Sequence, residues 1–175
     1  ERIGELPLRI VGNNPPYLVR NMATKGPCAA MIEVTGHVAD TATYLDQARV
    51  SIAPVLFGSG MSGKIGEALA AGIPVVTTRL GALGLGLEEG IHCLVAETPE
   101  EFVDRIAQLH QDDSLWEALS RAGRNFVESR LSPNALRESF LEKISGSLAS
   151  PAGSLRARRI PSKSAQGALG PARFP

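Results

Sequence analysis

The sequence predicts an α/β fold: a doubly wound parallel sheet in a single domain, with helices added at its C-terminal end. Three observations carry this. Short apolar runs alternate with helical patterns through the first 80 residues. A glycine-rich stretch, GSGMSGK at residues 58–64, lies between one such run and the helix after it. Helical patterns then dominate residues 98–148. Strands alternating with helices in so short a span imply parallel pairing through right-handed helical crossovers.

The elements follow in order. LRIVG (residues 8–12) reads as a buried strand, and NPPYLVRNMA after it as a loop and short helix. AMIEVTG (30–36) is the next strand, and DTATYLDQA (40–48) a helix capped by Asp40. RVSIAP (49–54) is a third strand, stopped by proline. SGKIGEALAAG (62–72) is a helix with Ser62 as N-cap, ending at Gly72, and IPVVTT (73–78) is a fourth strand. LGALGLGLEEG (80–90) reads as a glycine-rich loop and HCLVA (92–96) as a short edge strand. Thr98, Pro99 and Glu101 form a capping-box pattern at the head of the next helix. Two more helices follow, at 114–130 and 132–148; in the second, Leu136, Phe140 and Ile144 share a face that needs a packing partner. The domain spans residues 1–148, its sheet abruptly opened at the N-terminal edge. Residues 149–175 read as a disordered tail, which from Pro151 on holds five basic residues and no acidic one.

Composition narrows the function classes. The chain has 175 residues with 18 basic and 18 acidic side chains, so no global charge draws it to nucleic acid or anionic membrane. A membrane contact would be peripheral at most, through the basic tail at an inner membrane face. Cys28 and Cys93 form no C-x-x-C, and His37, His92 and His110 have no metal spacing. Without a signal-peptide pattern or a membrane-length apolar run, a cytoplasmic setting is the default.

The glycine stretch matches two phosphate-binding patterns, G-x-G-x-x-G and G-x-x-x-x-G-K, and completes neither. Placed between a strand and a helix, its backbone amides and the helix dipole favour an anion. Lys64 adds positive charge in the first turn. Glu67 lies four residues past Gly63, about 6 Å along the helix axis, comparable to the step from a nucleotide's phosphates to its ribose hydroxyls. A P-loop would need Ser or Thr where Ile65 stands. A nicotinamide-cofactor turn would need its glycines directly after the strand, where PVLF intervenes, and an acidic residue about 20 positions on. Arg79 near that place leaves an NADP-dependent reductase as a distant alternative. The structural readings stand beside these. Lys64 and Glu67 have the spacing of a surface pair, the three glycines suit any turn needing positive φ, and His37 suits an exposed loop. His92 and His110 read as structural, and Trp116, between Leu115 and Leu119, as core.

The run FGSGMSGKIGEALAAGIPVVTTRLGALGL resembles the donor-binding core of group 1 (family 4) glycosyltransferases. VTGHVADTATYLDQARVSIAPV before it and HCLVAETPEEFVDRIAQL after it extend the likeness across about residues 6–145. The resemblance implies one Rossmann-like half of a two-domain enzyme that transfers a sugar from a nucleotide diphosphate sugar with retention and without an obligatory metal. It implies that Glu67 binds the ribose hydroxyls and that Gly58, Ser59, Gly60 and Met61 line the diphosphate and sugar. His37 and Val38 would border the base, and Lys64 is a candidate stabiliser of the leaving group. Ser59 stands where many members carry a second acidic residue, and Lys64 marks a subgroup. The family's N-terminal acceptor domain, and its basic pair upstream of LRIVG, lie outside these residues. The acceptor, the donor base and the donor sugar stay open. A non-catalytic nucleotide-binding module, or a truncated remnant, is the alternative of a different class.

Overall fold

In the computed structural model, residues 6–58 and 60–149 are described. By internal contact the chain divides into a unit ending at Glu138 and a second beginning at Ser139.

In the first unit all strand pairs are parallel. Strand β1 (Leu8–Val11) leads through α1 (Tyr17–Lys25) and a short 3₁₀ turn (Ala29–Met31) to β2 (Ile32–Gly36), which lies beside it. The one-turn helix α2 (Ala42–Leu45) leads to β3 (Ser51–Ala53). From there α3 (Gly63–Ala70), β4 (Val75–Thr77), α4 (Arg79–Leu85) and β5 (Leu94–Val95) build a second sheet of order β3-β4-β5. Helices α5 (Pro99–Gln111), α6 (Asp113–Arg130) and α7 (Pro133–Ala149) follow.

The central strand explains the core. Successive side chains of β4 point to opposite faces, and both faces are covered, as parallel sheets require. Val75 packs with Ala53, Ile65, Leu69, Cys93 and Phe126, whereas Val76 packs with Leu94, Leu109 and Leu119. Each fully buried aliphatic side chain in these clusters contributes about 1.5–3 kcal/mol.

The expected α/β class with parallel strands holds, its strands pairing as two sheets, β1-β2 and β3-β4-β5. Two expectations are corrected. The helix expected at 40–48 is one turn. Asp40 stands one residue before the N-cap, Thr41, whose side chain makes no cap bond; the Asp40 carboxylate accepts from the Ala42 amide at 2.9 Å, and the Ala48 amide already turns back to Leu45 as the chain bends toward β3. The loop expected at 80–90 begins as helix α4. Thr78 caps it, accepting from the Gly81 amide at 3.2 Å, and Gly86 ends it at φ +71. Its internal glycines are packing residues. A Cβ on Gly81 would stand 2.1 Å from Thr77 Oγ1, and one on Gly84 2.9 Å from the Gly60 carbonyl oxygen.

Other expectations hold. The Thr98–Glu101 capping box has both of its bonds. Trp116 packs beside the second cluster and donates from Nε1 to the Arg49 carbonyl at 2.6 Å. His92 accepts from the Glu88 amide through Nδ1 at 3.2 Å and lies against Phe126. On α7, Leu136, Phe140 and Ile144 are exposed. The tail expected to be disordered lies outside the described residues beyond Ala149. Among the described residues no helix is long and apolar enough to cross a membrane.

Candidate functional site

The carboxyl ends of parallel strands gather loops and helix N-termini on one edge of a sheet, where ligands of doubly wound folds bind. Here that edge is built on two threonines. Thr77, fully buried at the end of β4, donates to the Ala53 carbonyl at 2.7 Å, and Thr78 donates to the Val55 carbonyl at 2.6 Å. They fix the point where the chain leaves β3, with Gly81 packed beneath. From that anchor the segment 56–62 crosses to α3. Gly58 has φ +137, a conformation that a side chain would oppose. Cβ atoms on Gly58, Gly60 or Gly63 would meet nothing within 4 Å, so the loop is open on its outer side.

Helix α3 is held from behind by α6. Ser120 donates to the Gly72 carbonyl at 2.6 Å, and Arg124 to that of Ala71 at 3.1 Å. A Cβ on Gly123 would stand 2.7 Å from Leu69 Cδ2, so a side chain there would have to displace the end of Leu69 between the two helices. The buried face of α3, Ile65, Ala68 and Leu69, leaves Lys64 and Glu67 exposed.

Capping separates α3 from the helices after it. The N-termini of α4, α5 and α6 are each closed by a side chain of this chain: Thr78, Thr98 and Asp112. Glu97 also accepts from the first amide of α4, that of Arg79, at 2.7 Å. Ser62 occupies the N-cap position of α3 but its side chain makes no cap bond, which corrects its expected role. The Ser62 carbonyl accepts from Ile65 and Gly66, while the Gly63 and Lys64 amides have no partner among the described residues. Two amides, the helix dipole and the Lys64 ammonium therefore meet an open glycine loop.

One turn along, Glu67 is met from the other sheet. Thr41, in the segment that leaves β2, donates from Oγ1 to Glu67 Oε2 at 3.5 Å. The same segment carries His37, exposed, and Val38, half-buried, just past Gly36 at φ +74. Glu67, Lys64, Gly58, Gly60 and Met61 thus belong to one loop and helix, and the segment with His37 and Val38 is tied to them through Thr41. Ser59 lies outside the described residues. Thr41 was missed by sequence reasoning; the only signal was its place, next to Asp40, on the segment leaving a strand's carboxyl end.

Exposed apolar side chains rim this face: Leu56, Phe57 and Met61 on the loop and Leu83 on α4. The cleft that Arg79 lines, about 400 Å³ and open to solvent, is elsewhere, between β5, α4 and α5. Glu89, Glu97, Glu101 and Asp104 line it against Arg79 and Arg105, a balance that repels the 2′-phosphate of NADP. Among the described residues no three His, Cys, Asp or Glu side chains cluster as metal ligands. Cys93, in the core beside β5, is no nucleophile: burial, helped by the Glu89 carboxylate, pushes its thiol up to about 11.

Residues 1–112 match the family model described as Glycosyl transferases group 1. Among solved structures, the chain superposes on Anabaena HepE in complex with UDP at a TM-score of 0.71 and 17% identity, over 81% of this chain and 41% of that one. Sucrose-phosphate synthase from Thermosynechococcus elongatus gives 0.67 and 18%, over 81% and 39%. The C-terminal domain of the Francisella tularensis group 1 protein LpcC gives 0.57 and 16%, over 65% and 60%. The chain thus spans about two-fifths of the first and second of these, and the likeness is one of fold. No curated protein matches the chain.

Proposed function

This chain belongs to the group 1 glycosyl transferases, and we propose that it forms the half of such an enzyme that holds the nucleotide diphosphate sugar. The observation that carries the reading is the pairing of an uncapped α3 N-terminus with the exposed carboxylate of Glu67 one turn deeper. The unclaimed amides of Gly63 and Lys64 suit the diphosphate. Glu67 accepts from the two ribose hydroxyls, with Thr41 steadying the carboxylate. The segment at His37 and Val38 borders the base, while Gly58, Ser59, Gly60 and Met61 border the diphosphate and sugar.

Chemically, such a face manages charge. As the anomeric carbon–oxygen bond breaks, negative charge grows on the departing diphosphate. Amides already aimed at it, with the Lys64 ammonium, stabilise that charge without reorganising. An oxocarbenium-like sugar then meets an acceptor hydroxyl on the same face from which the diphosphate departs, and the hydroxyl's proton passes to a diphosphate oxygen as the new bond forms. We assign retention at the anomeric carbon and independence from a metal ion to this chemistry. The acceptor would come from a facing domain, and the apolar rim of Leu56, Phe57, Met61 and Leu83 fits an opposing protein surface. Transfer therefore belongs to the polypeptide that carries both halves.

UDP, which HepE binds, is the first probe. Calorimetry of the chain with UDP, run with EDTA and again with Mg²⁺, is expected to give the same weak binding in both. Binding found only with Mg²⁺, or binding unaffected by Glu67→Ala, overturns the assignment. Binding without any transfer by a polypeptide that carries both domains would instead favour a non-catalytic module.

A further inference from the structure

We propose that α4 is the template that holds the glycine loop in its ligand-binding shape, with Thr78 as the positioning residue that ties the two together. The inference rests on the reading of that loop as the diphosphate site, and it names what fixes the loop's geometry.

The loop does not fix itself. No described residue from 56 to 61 makes a hydrogen bond to another described residue. Gly58 and Gly60 add backbone freedom, and a Cβ on either would meet nothing within 4 Å. Leu56, Phe57 and Met61 are exposed. Amides at the end of such a loop are preorganised for an anion only when its ends and its middle are held from outside.

Helix α4 makes contact at all three places. At the entry, the Val55 amide donates to the Ala53 carbonyl at 2.9 Å, a one-residue turn at Pro54 that brings Val55 to the end of β4. There Thr78, 3% exposed, donates to the Val55 carbonyl at 2.6 Å. In the middle, Gly84 abuts the Gly60 carbonyl. At the exit, a Cβ on Gly81 would stand 3.2 Å from Ile65 Cδ1, and it would stand equally close, 3.2 Å, to Val55 Cγ2. Ile65 is in the first turn of α3, directly after Gly63 and Lys64 with their open amides.

Thr78 is the joint because one hydroxyl serves both sides. A threonine hydroxyl has one proton to donate and lone pairs with which to accept. Here the proton goes to Val55, and the oxygen accepts from the Gly81 amide at 3.2 Å, which closes the head of α4. Donating makes the oxygen a better acceptor, so the two bonds reinforce each other. A displaced α4 therefore pulls on the loop entry, and a displaced loop loosens the cap of α4. Thr77, one residue earlier, donates to the Ala53 carbonyl of β3, and Thr98 at the head of α5 bonds its own helix.

The test compares Thr78→Val, which keeps the shape and removes the hydroxyl, with Thr78→Ser, which keeps the hydroxyl. Leu119→Ala, in the cluster on the other face of β4, controls for lost stability. Without nucleotide, Thr78→Val should shift the amide NMR resonances of residues 56–63 and speed Gly81 exchange about tenfold or more. Thr78→Ser and Leu119→Ala should leave the loop resonances where the parent has them. UDP affinity should fall about tenfold in Thr78→Val and stay within about threefold of the parent in the other two, although Leu119→Ala melts lower. Loop resonances unmoved by Thr78→Val, failure of serine to rescue, or affinity that tracks Tm across the three variants overturns the proposal. A parent that does not bind UDP removes the diphosphate reading, and the nucleotide-free spectra still decide whether α4 holds the loop. If Thr78→Val does not fold, the parent decides. UDP should then slow exchange at Gly81 several-fold more than at Glu101, the matching cap amide of α5. Equal effects on the two amides overturn the proposal.

Discussion

The carbonyl oxygen of Gly60 lies 2.9 Å from the place where a Cβ on Gly84 would stand, so α4 packs directly on the backbone of the glycine loop. Gly84→Ala must push that carbonyl away, at a cost of about 1–3 kcal/mol for overpacking, part of it offset by alanine's better helix propensity. The expected outcome is a small fall in Tm with a several-fold loss of UDP affinity. A variant that binds UDP like the parent would detach α4 from the site.

Glu67 is exposed, and among the described residues its one side-chain bond is the long one from Thr41. Glu67→Gln should therefore leave thermal unfolding nearly unchanged. It should weaken UDP binding about tenfold to a hundredfold, as loss of hydrogen bonds to a charged acceptor does. Thr41→Val should lower affinity less than Glu67→Gln, since it frees the carboxylate without removing it. Titration calorimetry of both variants beside circular dichroism melts decides this. A Thr41 variant that binds worse than the Glu67 variant would reverse their roles.

Lys64 lies in the first turn of α3, where charge and helix dipole reinforce each other. Lys64→Met is expected to reduce UDP affinity about fivefold at low salt, with the difference shrinking as ionic strength rises. Measuring the dissociation constant across a salt series checks it. A salt-independent loss would point to packing instead.

Cys93 gives a pH signature. Burial, with the Glu89 carboxylate adding to it, raises its thiol from 9.0 to about 11. Between these values the folded chain keeps a proton that the unfolded chain has released. Stability from this group is thus complete below pH 9 and is lost as pH climbs toward 11, by at most about 3 kcal/mol. Urea unfolding at about pH 8 and about pH 10.5 should show a larger fall for the parent than for Cys93→Ala. Parallel falls in the two proteins would rule the thiol out as the cause.

Local chemistry made much of this legible. The β–α alternation was readable because apolar runs bounded by proline and glycine mark buried strands. The Thr98–Glu101 box was readable because both of its bonds join residues close in sequence. Glu67 stood out by its distance from a glycine turn. Helix α4 was hidden, because glycines that break a helix in solution here admit Thr77 and the Gly60 carbonyl from distant parts of the chain. Ser62 misled for the opposite reason: its residue type fits a cap, yet its hydroxyl bonds no amide of the first turn.

The amino-acid sequence alone determined the succession of elements and the placement of an anion-favouring turn before a helix with an acid one turn in. These depend on neighbours a few residues apart. Folding in three dimensions decided which helix N-terminus stays open and that Thr41 reaches Glu67. Such outcomes are set by groups tens of residues apart competing for the same hydrogen bonds and the same space, and no local pattern records which of them wins.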